Sequence, residues 1–464
     1  MLSRATFQLS KSTPSKSTPS KSIPSKSILS RCLSSLACVG TLVAISSLAS
    51  LPTHAQTPSE NMLAMERSLE QEFESYFGED LAEVTQSSEE ITDTLQQVAA
   101  ETQTQPAVLW AIPRGDHLHL VLLTSSGEPI VRDLYDVPDD LLRQTVSDFQ
   151  LEMHGTAENM LAAQQLHKWM IEPFESEHLQ PEEIDTLLVC LGNGLRSLPL
   201  AALHDGENFL IEKYALTRIP AFNLIQTTYS SLAEGEFLAM GASEFESLNP
   251  LPAVPAELTS ILETWQQNAP ENRLRSGQSF LDPDFTLTNL EQQLARQKPE
   301  VVHLATHAVF DRGAAKNSYI QLWDSRLTLD RIREVNWHDP SVELLVLSAC
   351  RTAVGNDMAE LGFAGLTLQS GAKSALASIW NVSDTGTLAL MSEFYNQLGT
   401  TTTKAEALRQ AQIKMLRGDV GFANGQLQLS RGEVEILAGG NQEDISDLSS
   451  PYYWAAFTMV GSPW

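Results

Sequence analysis

Apolar positions return every three or four residues over 60–77, where Met62, Met65, Leu69, Phe73 and Phe77 share one helical face and acids the other. Residues 88–101 repeat the pattern, and the acids of 56–101 read as a solvated helix face. Strand-like runs follow at 108–112, 118–124 and 129–135, separated by Gly115-Asp116 and Ser126-Gly127. Turn residues at such short spacing predict an antiparallel meander. Helical spacing resumes over 138–153 and 158–174, and no 34-residue helical repeat is present.

From about residue 181 the texture changes. Short apolar runs at 187–191, 237–240, 301–305, 344–348 and 375–380 alternate with helical patterns near 255–267, 286–297, 358–370, 384–398 and 404–417. Along 384–398, Leu388, Met391, Tyr395 and Leu398 share one face. Apolar strands alternating with helices predict an α/β fold whose mainly parallel sheet is covered on both sides. The chain thus divides into a smaller α+β region at 56–180 and an α/β domain at 181–464. Residues 418–448, rich in Gly, Gln, Asp and Glu, read as an exposed loop open to cleavage or regulation.

Composition separates the start of the chain from the rest. Residues 1–55 hold six of the 30 bases and no acid, so a formal charge of −28 combines a basic leader with a body near −34. Residues 11–29 repeat Lys, Ser and Pro, and an apolar run from Leu33 to Leu51 ends in Pro52-Thr53-His54-Ala55. A basic start, an apolar stretch and a small residue form an export signal cleaved after Ala55. The mature chain is then periplasmic or extracellular, without a membrane attachment. The competing reading is an uncleaved anchor, since about 20 apolar residues span a bilayer. The acidic body excludes nucleic acid and anionic membrane as partners. After cleavage only Cys190 and Cys350 remain, too few for a disulfide framework.

In open parallel sheets, chemistry gathers at the carboxyl ends of strands. The run 300–306 ends on His307, and the run 344–349 ends on Cys350. If the two strands are neighbours, an imidazole and a thiol leave one sheet edge together, as cysteine-type acyl transfer requires. The alternative is a buried structural cysteine beside a capping histidine. His303 and His307 lie four apart on a strand, which is not the helical spacing of a zinc pair, and His303 reads as a satisfied core residue. Cys190 reads as core. Gly192-Asn193-Gly194 reads as a turn, and His117 and His119 as a solvent-facing pair on one strand face.

The segments HLATHAVF (303–310) and VLSACRTAVG (346–355) resemble the two signatures of the CHAT family, caspase-like peptidases related to separases. Further matches run in the family's order: GNGLRSLPLAALHDGENFLIEKYALTRIP (192–220), LPAVPAEL (251–258), ELGFAGLTLQSGAKSALASIWNVSD (360–384), ALRQAQ (407–412) and PYYWAAFTMVGSPW (451–464). They cover most of 181–464, in the form common among cyanobacterial members. The resemblance implies a caspase-like three-layer α/β/α domain, with His307 as proton shuttle and Cys350 as nucleophile. It makes the backbone N–H groups of Ala308 and Cys350 the oxyanion hole, with Ala308 standing where relatives often carry glycine. A positive φ at that position would cost alanine more. Asp384 falls where the separase-like pattern WxVxD carries an acid and would attract a basic substrate side chain, although Ser383 or Asp384 also suits a helix N-cap. Asp357 and Glu360 are further pocket candidates.

The resemblance thus implies a cysteine endopeptidase acting on a protein or peptide, in regulation or signalling, with no metal and no organic cofactor. Its rivals are a catalytically silent scaffold and acyl transfer by the same nucleophile. Because relatives often carry tetratricopeptide repeats and this chain has none, a separate regulatory protein of that type is an expected partner.

Overall fold

The computed structural model describes residues 58–464 except 79, 82–83, 156–159, 233–234, 269–274, 312, 338–340, 353–360, 363–364, 424–425, 431 and 436–446. At 349–352, 422–423 and 434–435 it describes the backbone alone. The leader at 1–55, Asp357 and Glu360 therefore lie outside the described residues. No helix among the described residues is long and apolar enough to cross a membrane.

The meander forms as its pattern predicts. Strands β1 (Pro106–Pro113), β2 (Leu118–Thr124) and β3 (Ile130–Leu134) pair antiparallel in sequence order. Alternate residues feed opposite faces. Val108, Trp110 and Val121 pack with Met62, Met65 and Leu69 of helix α1 (Pro58–Phe77) and with Ile91 and Leu95 of helix α2 (Ser88–Thr102). Leu109, Leu120 and Leu122 join the other cluster with Leu142 and Phe149 of helix α3 (Asp139–His154) and Leu166 of helix α4 (Leu161–Met170). A capping box starts α2: Ser87 Oγ accepts from the Glu90 N–H, and the Glu90 carboxylate accepts from the Ser87 N–H. The reading of 56–101 as a solvated acidic face needs one correction. Glu66 is fully buried and Glu70 nearly so, because the Glu66 carboxylate has specific donors inside the protein.

The parallel strands follow as β4 (Thr186–Leu191), β5 (Ala215–Ile219), β6 (Phe237–Gly241), β7 (Gly277–Leu281), β8 (Val301–Phe310), β11 (Leu344–Thr352) and β12 (Ser374–Ser378). Between β8 and β11 lies a hairpin, β9 (Tyr319–Gln321) and β10 (Arg326–Thr328). A small separate sheet contains β13 (Gly421–Ala423), β14 (Gln426–Leu429) and β15 (Gly432–Glu435), and β16 (Phe457–Gly461) closes the chain. The expected open loop at 418–448 is thus replaced over 421–435 by antiparallel strands, in which Leu427 is buried.

Thirteen strands form one sheet in the order β10-β9-β8-β11-β12-β16-β5-β4-β1-β2-β3, with β6 and β7 also attached through β8. Nine of its strands form two parallel blocks, β7-β6-β8-β11-β12 and β16-β5-β4-β1, which meet at the antiparallel pair β12–β16. The N-terminal meander therefore extends the same sheet as the parallel strands. Helices α5 (Val254–Gln267), α6 (Leu287–Gln297), α7 (Asp384–Leu398) and α8 (Lys404–Leu416) lie where helical spacing predicts. Helix α7 is buried nearly all round, Ala389, Leu390 and Phe394 as fully as the predicted stripe, so it is an interior helix rather than an amphipathic one.

Candidate active site

Strand β8 lies between β11 on one flank and β6 and β9 on the other. Its first five residues are fully buried, as the apolar run Val301–Ala305 requires, and the strand emerges at His307, which is half-buried. The β8–β11 ladder runs in register from Leu344 opposite Val301 to Leu347 opposite Leu304. It then slips: Ala349 faces His307, and Cys350 faces Ala308. Two residues of β8, Ala305 and Thr306, thus stand against Ser348 alone. Such an insertion bends a strand and re-aims the residues beyond it. An unbroken ladder would set Cys350 directly opposite His307; the slip offsets them by one register position at the outer ends of two neighbouring parallel strands.

The imidazole is set by the segment after β6. His307 Nε2 lies 2.8 Å from the Asn249 carbonyl oxygen, and the Phe245 ring packs with its centroid 4.8 Å from the imidazole. A carbonyl only accepts, so the ring proton is on Nε2 and the neutral imidazole carries its lone pair on Nδ1. Nδ1 is the atom available as a base. Ala308 is buried and pairs with Ile320 of β9 as well as with Cys350. Its φ is not positive, so alanine occupies the position without strain.

Asp384 stands at the first position of α7, while Ser383 is the N-cap and accepts from the Gly386 N–H at 3.0 Å. The Asp384 carboxylate instead accepts from the Ala253 N–H at 2.5 Å. Residues 245–253 thereby touch both His307 and Asp384. Burial, with the Glu257 carboxylate nearby, pushes the Asp384 carboxyl up to about 7, against the Ala253 hydrogen bond. Between about pH 4 and 7 the native chain therefore holds a proton that the unfolded chain has lost, and stability falls as pH rises through that window. Asp384→Asn keeps an acceptor for Ala253 and removes the charge. We expect it to be more stable than the parent by about 2 kcal/mol at pH 8, allowing for partial exposure, and equal to it at pH 4, in paired urea titrations.

His303 is a core residue with both nitrogens satisfied, Nδ1 at 3.1 Å from Tyr395 Oη and Nε2 at 3.0 Å from Glu257 Oε1. Cys190 is also core, its thiol donating to the Pro220 carbonyl at 3.1 Å, and burial pushes its pKa up. Residues 193–197 form the expected turn.

Beside His307 opens a cleft of about 690 Å³, lined among others by Glu244, Phe245, Glu246, Trp323, Asp324 and Arg326. Phe245 belongs to both the cleft and the imidazole's packing. Three carboxylates against one guanidinium give the cleft a negative balance suited to a cationic side chain. Sequence patterning does not single out these loop residues. The signal that points to the first of them is position, since 244–249 follows the carboxyl end of β6, whereas 323–326 leads from the antiparallel strand β9 into β10.

A family model described as the CHAT domain matches residues 161–462. No curated protein matches the sequence. Among solved structures, a chain of the Saccharomyces cerevisiae separase–securin complex aligns at 10% identity with a TM-score of 0.50, over 87% of this chain and 34% of that one. This chain thus spans about a third of the separase chain. The Arg-specific cysteine proteinase gingipain R aligns at 12% identity and a TM-score of 0.38, over 68% of this chain and 69% of that one. The separase alignment marks an α/β fold with a mixed, mainly parallel sheet of the caspase-like kind.

Proposed function

Because the chain belongs to the CHAT domain family, we propose that it is a cysteine endopeptidase working through Cys350 and His307. His307 Nδ1 takes the proton from the Cys350 thiol, and the thiolate adds to the scissile carbonyl carbon. Backbone N–H groups of Ala308 and Cys350 stabilise the resulting oxyanion. The tetrahedral species collapses as the imidazolium returns its proton to the leaving amine, leaving a thioester on Cys350. Water, deprotonated by the same imidazole, then releases the acid and regenerates the thiol. The observation that supports this reading is the direct pairing of β8 with β11, two parallel strands whose outer ends carry His307 and Cys350, with the Asn249 carbonyl accepting from the imidazole. The acidic cleft favours a lysine or arginine side chain beside the scissile bond.

The test is a positional-scanning peptide library and a thiol-directed alkylating probe applied to the parent chain and to Cys350→Ala. Cleavage after basic residues, with mass-spectrometric labelling at Cys350, is expected. Both should vanish in the variant. Cleavage that persists at full rate in Cys350→Ala, or Cys350 that is no more reactive than a denatured thiol, would overturn the reading.

A further inference from the structure

The meander carries a cluster that the proposed chemistry leaves unused. His117 and His119 are two apart and so face the same side of the chain entering β2, and His119 is the direct register partner of Asp133 on β3. Asp133 Oδ1 lies 2.6 Å from His119 Nδ1 and 3.4 Å from His117 Nε2. One atom from each of the three residues falls within a common 4.8 Å. The expectation of a solvent-facing pair is corrected accordingly, for both imidazoles are turned onto a carboxylate and only partly exposed.

His117 Nδ1 lies 2.7 Å from Asp116 Oδ1 and its Nε2 3.4 Å from Asp133 Oδ1, so a carboxylate stands at each ring nitrogen. Carboxylates on both sides of the ring favour a cation held between the imidazole and Asp133. A carboxylate behind an imidazole is also the arrangement that orients a histidine for metal binding and raises its basicity. Two imidazoles and one carboxylate, with room for water at a fourth position, suit zinc-class divalent ions. Bond lengths near 2.0–2.1 Å place tetrahedral donors about 3.3 Å apart. The His117–Asp133 separation already matches, and the His119–Asp133 pair would open by roughly 0.7 Å, a small swing for a partly exposed carboxylate.

We propose that His117, His119 and Asp133 form a binding site for a zinc-class divalent cation that fastens β3 to β2. Strand β3 ends the sheet order beside β2, and Val131 and Tyr135 on and after it are 38% and 67% exposed. An edge of this kind is prone to fraying or to pairing with another chain. The ion would hold it by side chains where it has a hydrogen-bonded neighbour on one flank only.

The test is calorimetric titration of the metal-stripped, untagged full chain with zinc chloride, in the Cys350→Ala background so that a thiol–imidazole pair does not compete. Saturable uptake of one equivalent is expected, with slower amide exchange along 130–134 when zinc is present. His119→Ala and Asp133→Asn should each weaken uptake by about 10- to 100-fold. Asp133→Asn, nearly isosteric, serves even if His119→Ala fails to fold. Lack of saturable uptake, or uptake that neither substitution weakens, would overturn the proposal.

Discussion

Replacing His307 with alanine should lower kcat/KM for the best library peptide by about three orders of magnitude and leave the melting temperature nearly unchanged. The two halves of this expectation have separate physical causes. A positioned general base contributes roughly 10²–10⁴ to rate, and here the base is a half-buried ring whose Nε2–H is tied to the Asn249 carbonyl. Structurally the ring contributes one hydrogen bond and one aromatic contact, with Phe245, about 1 kcal/mol each, and water reaches the Asn249 carbonyl once the ring is gone. Exogenous imidazole should restore part of the lost rate, since the alanine variant leaves the space that the ring occupied. A loss below tenfold would remove His307 from the proposed mechanism.

The largest stability effect is expected at a residue remote from that chemistry. The Glu66 carboxylate, fully buried on α1, accepts from Trp110 Nε1 at 2.6 Å, from the Phe222 and Asn223 N–H groups at 3.0 Å each, and from Asn223 Nδ2 at 3.1 Å. Asn223 in turn accepts through Oδ1 from the Thr85 and Gln86 N–H groups at 3.1 and 2.8 Å. One carboxylate thereby ties together α1, the interior strand β1 and the segment after β5. Glu66→Leu leaves several donors buried without an acceptor, at about 1–3 kcal/mol each, and should cost about 5 kcal/mol in urea unfolding. Glu66→Gln keeps one acceptor but turns an NH₂ towards donors, so it should cost roughly half as much. A loss below about 1 kcal/mol in Glu66→Leu would contradict this account.

Glu66 also illustrates what sequence patterning reads well and what it does not. Helical periodicity places α1, α2 and α7 within two residues of their ends, because those stretches present apolar residues at regular spacing over many turns. Periodicity assigns every acid to the solvent side, and Glu66 departs from that because donors 44 to 157 residues away converge on it. The same reason hides β5. Its five residues include Thr217 and Arg218, both buried, with the Arg218 guanidinium donating to the Arg196 and Leu198 carbonyls and to Thr458 Oγ1. A short run interrupted by such residues does not register as a strand. At the site, adjacency of His307 and Cys350 follows from two apolar runs ending at one sheet edge. The inserted residue in β8 and the acidic cleft do not, since a bulge is a mismatch between two distant strands and the cleft is assembled from separate loops.

The contact between His307 Nε2 and residue 249 is made by a main-chain carbonyl, not by the asparagine side chain. Every amino acid offers that oxygen. The feature that dictates which imidazole nitrogen bears the proton is thus encoded by the path of the loop and is silent to substitution at 249. Relatives with different residues there would keep the same tautomer. A one-residue deletion anywhere between β6 and α5 would move the oxygen and abolish it, so length, rather than identity, is the heritable property of this segment.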